Sequence, residues 1–173
     1  MQKELKLKMK AEERKKKIDF TIKYYNTPAK LVAKKDAGFD GTAAGLDGKR
    51  LGVQRATTHQ CSAEKLYPGA ELVLYGTQEE VWQDLTAGRL DAQLSDSLQA
   101  YEGFLALDAG SGFDFLGDAI DYVECQGVGA GFAVRKEDSA LRDQLSQIIL
   151  DIRADGTYKA MNDKYFAVDI YGN

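Results

Sequence analysis

From Lys49 onward the chain alternates strand-like and helix-like hydrophobic periods, and no other feature of the sequence restricts its fold as sharply. Extended patterns at Arg50–Gln54, Glu71–Tyr75 and Leu90–Leu94 are each followed by helical spacing, at Thr58–Leu66, Gln78–Ala87 and Ser97–Leu105. Strands alternating with helices of this length predict an α/β fold with a largely parallel sheet and right-handed crossovers. A strand at Phe113–Leu116 closes the alternation. A strand-like run follows at Gly127–Val134, then helices at Ser139–Ala154 and Thr157–Tyr165, divided by Asp155-Gly156, where the glycine suits a helix C-cap.

The chain before Lys49 is patterned differently. Leu5, Leu7 and Met9 alternate with lysines, which predicts an edge strand over residues 4–10, the lysines discouraging edge-to-edge pairing. A short polar helical turn at Ala11–Lys17 and a strand at Ile18–Tyr25 follow. Asn26-Thr27-Pro28 breaks that strand, Ala29–Ala33 resumes an extended apolar pattern, and Lys34–Gly45 reads as a loop between lobes.

With 173 residues, 44% of them hydrophobic, the chain can bury the core of one ordinary domain or two small lobes. A net charge of -4 argues against a general nucleic-acid binder, which needs a basic face to neutralise phosphates. No apolar run approaches the roughly 20 residues of a membrane span, and no export signal opens the sequence as given. Cys61 and Cys125 are far apart and form no Cys-x-x-Cys pair, so zinc and thioredoxin-type chemistry have no support. Two free thiols are expected, with one disulfide as the alternative. Walker, His-Glu-x-x-His and Gly-x-Ser-x-Gly signatures are absent. Gly127-Val-Gly129-Ala-Gly131 lacks dinucleotide-loop spacing and leads into a strand instead of following one. Neither a metal nor a cofactor is expected.

Four places could carry binding chemistry. Asp96 stands where a strand ends and a helix begins, the edge at which open α/β sheets take ligands. With Gln99 three residues on, it could equally be a capping box. Thr57, Thr58 and His59 open a helix directly after a strand, presenting amides and hydroxyls suited to a carboxylate or phosphate; Thr57 with Gln60 is again a capping box in the alternative. His59, the only histidine, has no cysteine or serine paired with it by spacing. Arg14 lies in a basic run, where its guanidinium could grip a carboxylate bidentately or simply be solvated.

Several segments, in order, resemble the polar amino-acid-binding members of the bacterial solute-binding proteins, the type II periplasmic fold of the histidine- and lysine/arginine/ornithine-binding proteins. They are Glu13-Arg-Lys-Lys-Lys-Ile-Asp-Phe20, Leu46-Asp-Gly-Lys-Arg-Leu-Gly-Val53, Asp84-Leu-Thr-Ala-Gly-Arg-Leu-Asp91, Glu102-Gly-Phe104, Ala133-Val-Arg-Lys-Glu-Asp138, Ile152-Arg-Ala-Asp-Gly-Thr-Tyr158, Lys164-Tyr-Phe166 and Asp169-Ile-Tyr-Gly172. The resemblance implies a periplasmic amino-acid-binding component of an ABC-type uptake system that works with membrane subunits and is not an enzyme. It implies that Arg14 holds the ligand α-carboxylate, that Thr57 and Thr58 assist it with His59 beside them, and that Asp96 receives the α-ammonium.

Departures from the family pattern matter too. Lys6-Leu-Lys-Met-Lys-Ala11 stands where a serine- and threonine-rich stretch is usual, Ala56 replaces a glycine, and His59 a common glutamine. The family also has a βαβα segment ahead of this region, carrying the aromatic residues that stack on the ligand side chain. The expected division is therefore residues 1–30 as a remnant of lobe 1 with a hinge strand, 31–126 as lobe 2, and 127–173 as the return strand and C-terminal helices of lobe 1. An incomplete lobe 1 should expose Ile148, Ile149, Ile152, Tyr158 and Phe166, favouring a homo-oligomer or a complementing chain. Affinity for a polar amino acid is then expected to be weak or absent. Two other readings follow from the same residues: a dehydratase, as a few proteins of this fold are, with Glu124 or Asp96 as the general acid, and a structural module in which Thr57, Thr58 and Asp96 only cap helices.

Overall fold

The computed structural model describes residues 18–166 and 169–172. The edge strand expected over 4–10, the turn at Ala11–Lys17 and Arg14 lie outside the described residues. The described chain forms two compact units, one running from Thr27 to Gly127, the other containing residues 18–26 and the chain from Val128 onward.

The Thr27–Gly127 unit is a five-stranded sheet with helices on both faces. Its elements are β2 (Ala29–Lys34), β3 (Arg50–Gln54), α1 (Thr58–Leu66), β4 (Glu71–Tyr75), α2 (Gln78–Thr86), β5 (Ala92–Asp96), α3 (Ser97–Ala100), β6 (Phe113–Ile120) and α4 (Val123–Gln126). Strand order is β4-β3-β5-β2-β6. β3 pairs in parallel with β4 and β5, as helical crossovers require, but β2 runs antiparallel to both β5 and β6. Four of the five strands therefore run the same way, as the strand–helix rhythm predicts, and β2 alone is reversed. β2 is joined to neither neighbour by a crossover helix, so the strand–helix rhythm carries no information about its direction.

Alternation sorts the core into two layers. Leu31, Leu51, Val53 and Leu94 pack with Ala63 and Tyr67 of the α1 side. Val32 faces the other way, into Val81, Leu85, Leu90 and Phe104 under α2. Burial on both faces explains why these strands read as nearly continuous apolar runs.

Several boundaries differ from the sequence reading, three of them by more than a residue in this unit. β5 runs from Ala92 to Asp96 because β2 pairs with it up to Ala29↔Asp96, while Asp91 is held outside the strand by an ion pair with Arg50 at 3.1 Å. The helix after Asp96 is α only to Ala100 and continues as a π-turn over Tyr101–Leu105, where a Cβ on Gly103 would come within 2.5 Å of Trp82 Cη2. β6 extends to Ile120. The thiol expectation is also overturned, since Cys61 of α1 and Cys125 of α4 form a disulfide. Helix α4 follows no hydrophobic period, and so its packing on α1 had no signature in the sequence. In the chain-entropy account a bond across a separation of 64 residues stabilises the fold by about 4 kcal/mol.

The second unit pairs β1 (Ile18–Tyr25) antiparallel with β7 (Ala130–Arg135) and adds α5 (Ser139–Ala154) and α6 (Thr157–Tyr165). β7 begins later than expected, after Gly127 and Gly129, both at positive φ. Helix α5 lies against the ribbon: Thr21, Val134 and Ile149 are buried, Ser146 Oγ accepts from the Ile22 amide, and Arg142 reaches Asp19 at 3.4 Å. Tyr158 of α6 donates to the Tyr24 carbonyl at 2.6 Å. Of the residues expected to be exposed, Ile148 is, at 47%, but Ile149 is 4% exposed because it faces the ribbon. Ile152, Tyr158 and Phe166 are half-buried.

Candidate functional site

Two parallel neighbours, β3 and β5, end at the same edge of the sheet, and their last residues set the site. After Gln54 the backbone turns through Ala56, which has φ +61, the one described non-glycine residue at positive φ. That turn aims Thr57 into the N-cap of α1, where its hydroxyl donates to the Gln54 carbonyl at 2.7 Å and accepts from the Gln60 amide at 3.2 Å. The Thr57 hydroxyl is thereby committed locally. Gln60 does not complete a capping box at Thr57: its side-chain oxygen accepts from the Ala56 amide instead, at 2.8 Å. The amides of Thr58 and His59, in the first turn of α1, have no intrahelical acceptor and sit at the positive end of the helix dipole. Thr58 is exposed.

Asp96 ends β5 and caps α3. Oδ1 accepts from the Leu98 amide at 2.9 Å and the Gln99 amide at 3.0 Å, and Oδ2 accepts from the Thr27 hydroxyl. Asp96 is therefore a helix N-cap, one of the two roles its position allowed. It also fixes the carboxylate at the strand end, half-buried, with lone pairs remaining on both oxygens.

His59 stands within electrostatic reach of Asp96. Burial holds its pKa below the ordinary histidine value, with the charge of Asp96 pulling the other way. Thr57, Thr58, His59 and Asp96 are thus brought together at one edge, while Arg14 lies outside the described residues. The arrangement offers first-turn amides for an anion and a pre-oriented carboxylate for a cation, the two ends of a zwitterion. Thr27 was missed by sequence reasoning, because Asn26-Thr27-Pro28 reads only as a strand breaker. Among the described residues no cluster of His, Cys, Asp and Glu could hold a metal ion, and no helix is long and apolar enough to cross a membrane.

Comparison with known proteins gives the family of the chain. The profile of the bacterial extracellular solute-binding proteins, family 3, matches residues 8–168. The chain is 46% identical over 164 residues to the L-arginine-binding protein of Pseudomonas aeruginosa, covering 94% of this chain and 63% of that protein. It is 40% identical to the histidine-binding periplasmic protein of Salmonella typhimurium, over 93% of this chain and 63% of that protein. Among solved structures, an ancestral arginine-binding protein bound to glutamine superposes with a TM-score of 0.74 at 28% identity, covering 91% of this chain and 67% of that one. The α/β fold is accordingly that of the type II periplasmic amino-acid-binding proteins. The chain spans just under two thirds of the length of these curated relatives. It belongs to the bacterial extracellular solute-binding proteins, family 3.

Proposed function

We infer that this chain carries the head-group half of an amino-acid-binding site and serves as the solute-binding component of an ABC-type uptake system, or as a part of one. The observation that carries this reading is the meeting of the Thr57–Thr58–His59 corner with Asp96 at the ends of two neighbouring parallel strands. In it the first-turn amides and the Thr58 hydroxyl take the ligand α-carboxylate together with Arg14, and Asp96 takes the α-ammonium. The division into a lobe 2 over residues 31–126, flanked by lobe 1 pieces at 1–30 and 127–173, follows from the same reading, as do a periplasmic location and a role in binding without turnover. Relatives described as binding L-arginine and histidine make L-arginine the first ligand to try.

Phe20 and Ile148, both nearly half exposed in the second unit, support completion of that unit by another copy or by a complementing chain. Sedimentation over a range of concentrations tests this; a compact monomer throughout would refute it. The ligand reading is tested by thermal shift with L-arginine, L-histidine and agmatine, which keeps the arginine side chain but lacks the carboxylate. A ligand that binds only the folded state adds RT ln(1 + [L]/Kd) to its stability and so raises the melting temperature with ligand concentration. L-Arginine should stabilise the chain and agmatine should not. Equal shifts from both would remove the carboxylate corner from the account.

A further inference from the structure

Helix α4 has little to hold it in place. It is four residues long, buries none of them and has no side-chain cap, and Val123 is 54% exposed. A single turn of helix does not persist by itself, since nucleation is unfavourable. Two side-chain links tie it to α1: the disulfide between Cys125 and Cys61, and a 3.3 Å hydrogen bond from Gln126 Nε2 to Ser62 Oγ. On α1 the anchor falls in the first turn. The Cys61 amide donates to the Thr57 carbonyl at 3.4 Å, closing the turn that presents Thr58 and His59. The next residue, Ser62, is fully buried. On α4 the anchor lies two residues before Gly127, the last residue of its unit. Both cysteines are half-buried rather than enclosed, so a small reductant can reach the bond.

We propose that the Cys61–Cys125 disulfide is a positioning element of the head-group corner: it clamps the first turn of α1 to α4, so that opening it loosens the Thr58 and His59 amides and weakens amino-acid binding. The proposal rests on the head-group reading above and adds a dependence on redox state. The opening step is an exchange with a dithiol. The S–S bond breaks, the sulfur atoms of Cys61 and Cys125 each gain an electron and a proton, and the dithiol closes into its own disulfide.

The test uses the whole chain in three forms: oxidised, reduced with dithiothreitol, and the double variant Cys61→Ser/Cys125→Ser. Backbone hydrogen exchange and L-arginine affinity are measured on each. Opening the bond should speed exchange about tenfold or more at residues 125–127 and also at positions 60 and 61, the α1 amides that bond to Thr57, leaving β2 and β5 protected. It should raise the L-arginine Kd about fivefold or more, and reoxidation should restore it. Faster exchange confined to 125–127, with positions 60 and 61 and affinity unchanged, would overturn the proposal by reducing the bond to a staple for α4. If the oxidised chain bound no amino acid, the head-group reading would fail while exchange at positions 60 and 61 still decided the positioning role.

Discussion

Replacing Asp96 separates its two roles, because alanine and asparagine remove different parts of what the carboxylate does. Asp96→Ala deletes the acceptor for two helix-start amides and for the Thr27 hydroxyl. Loss of an N-cap costs about 1 kcal/mol, and a half-buried hydroxyl left to water adds about 1 kcal/mol. The sum, about 2 kcal/mol, lowers the melting temperature by roughly 4–8 °C in a chain of this length. Asp96→Asn keeps the cap, since asparagine caps as well as aspartate, and its amide nitrogen can donate to Thr27 Oγ1 with the hydrogen bond reversed. Its melting temperature should fall by no more than about 2 °C. Binding should respond in the opposite order of subtlety. Asparagine removes the negative charge that meets the ammonium, a loss of about 1.5–3 kcal/mol, or roughly 10- to 100-fold in Kd. Thermal denaturation paired with L-arginine titration reads both quantities. An asparagine variant that binds as tightly as the parent would refute the ammonium assignment, and one as unstable as alanine would refute the capping geometry.

Other positions give independent checks. Ala56→Gly should stabilise the chain by up to about 1 kcal/mol, because relief of the left-handed strain at φ +61 outweighs the added freedom of the unfolded chain; chemical denaturation showing a clear loss would contradict the strain. Gly103→Ala should destabilise by about 1–3 kcal/mol, since the new Cβ meets the Trp82 ring at 2.5 Å, and a neutral result would mean that the π-turn yields freely. His59 has a folded-state pKa depressed below about 6.5 by burial. The unfolded chain then takes the proton first, so its contribution to stability is complete above pH about 6.5 and is lost as the pH falls through the folded value. Denaturation midpoints of the parent and His59→Gln should diverge over that acid window and agree above it; parallel profiles would contradict the burial.

Much of this architecture is legible from hydrophobic period alone. α1, β3, β4, α5 and α6 keep the bounds their spacing predicts, because each is long enough, or buried enough on one or both faces, for its period to register. What escapes is set by tertiary contact. The direction of β2 depends on partners distant in sequence, the end of β5 on pairing with β2, and the π-turn on the Trp82 ring. α4 buries no residue, so it left no pattern, and the disulfide that depends on it stayed hidden as well. At the site, Asp96 and the Thr57–Thr58 corner were visible as polar residues at strand ends. Thr27 was not, since its role exists only where β2 lies beside β5.

On the proposed reading, one sheet edge offers amides to the carboxylate and a carboxylate to the ammonium of the same zwitterion. Amide-resolved NMR during an L-arginine titration reads both corners at once, even at weak affinity. Saturable shifts are expected at Thr58, His59 and Gln60 together with Leu98 and Gln99, following one dissociation constant. In Asp96→Asn, the same concentrations should leave both groups of amides nearly unmoved. Shifts confined to one corner, or shifts that survive in Asp96→Asn at full amplitude, would contradict it.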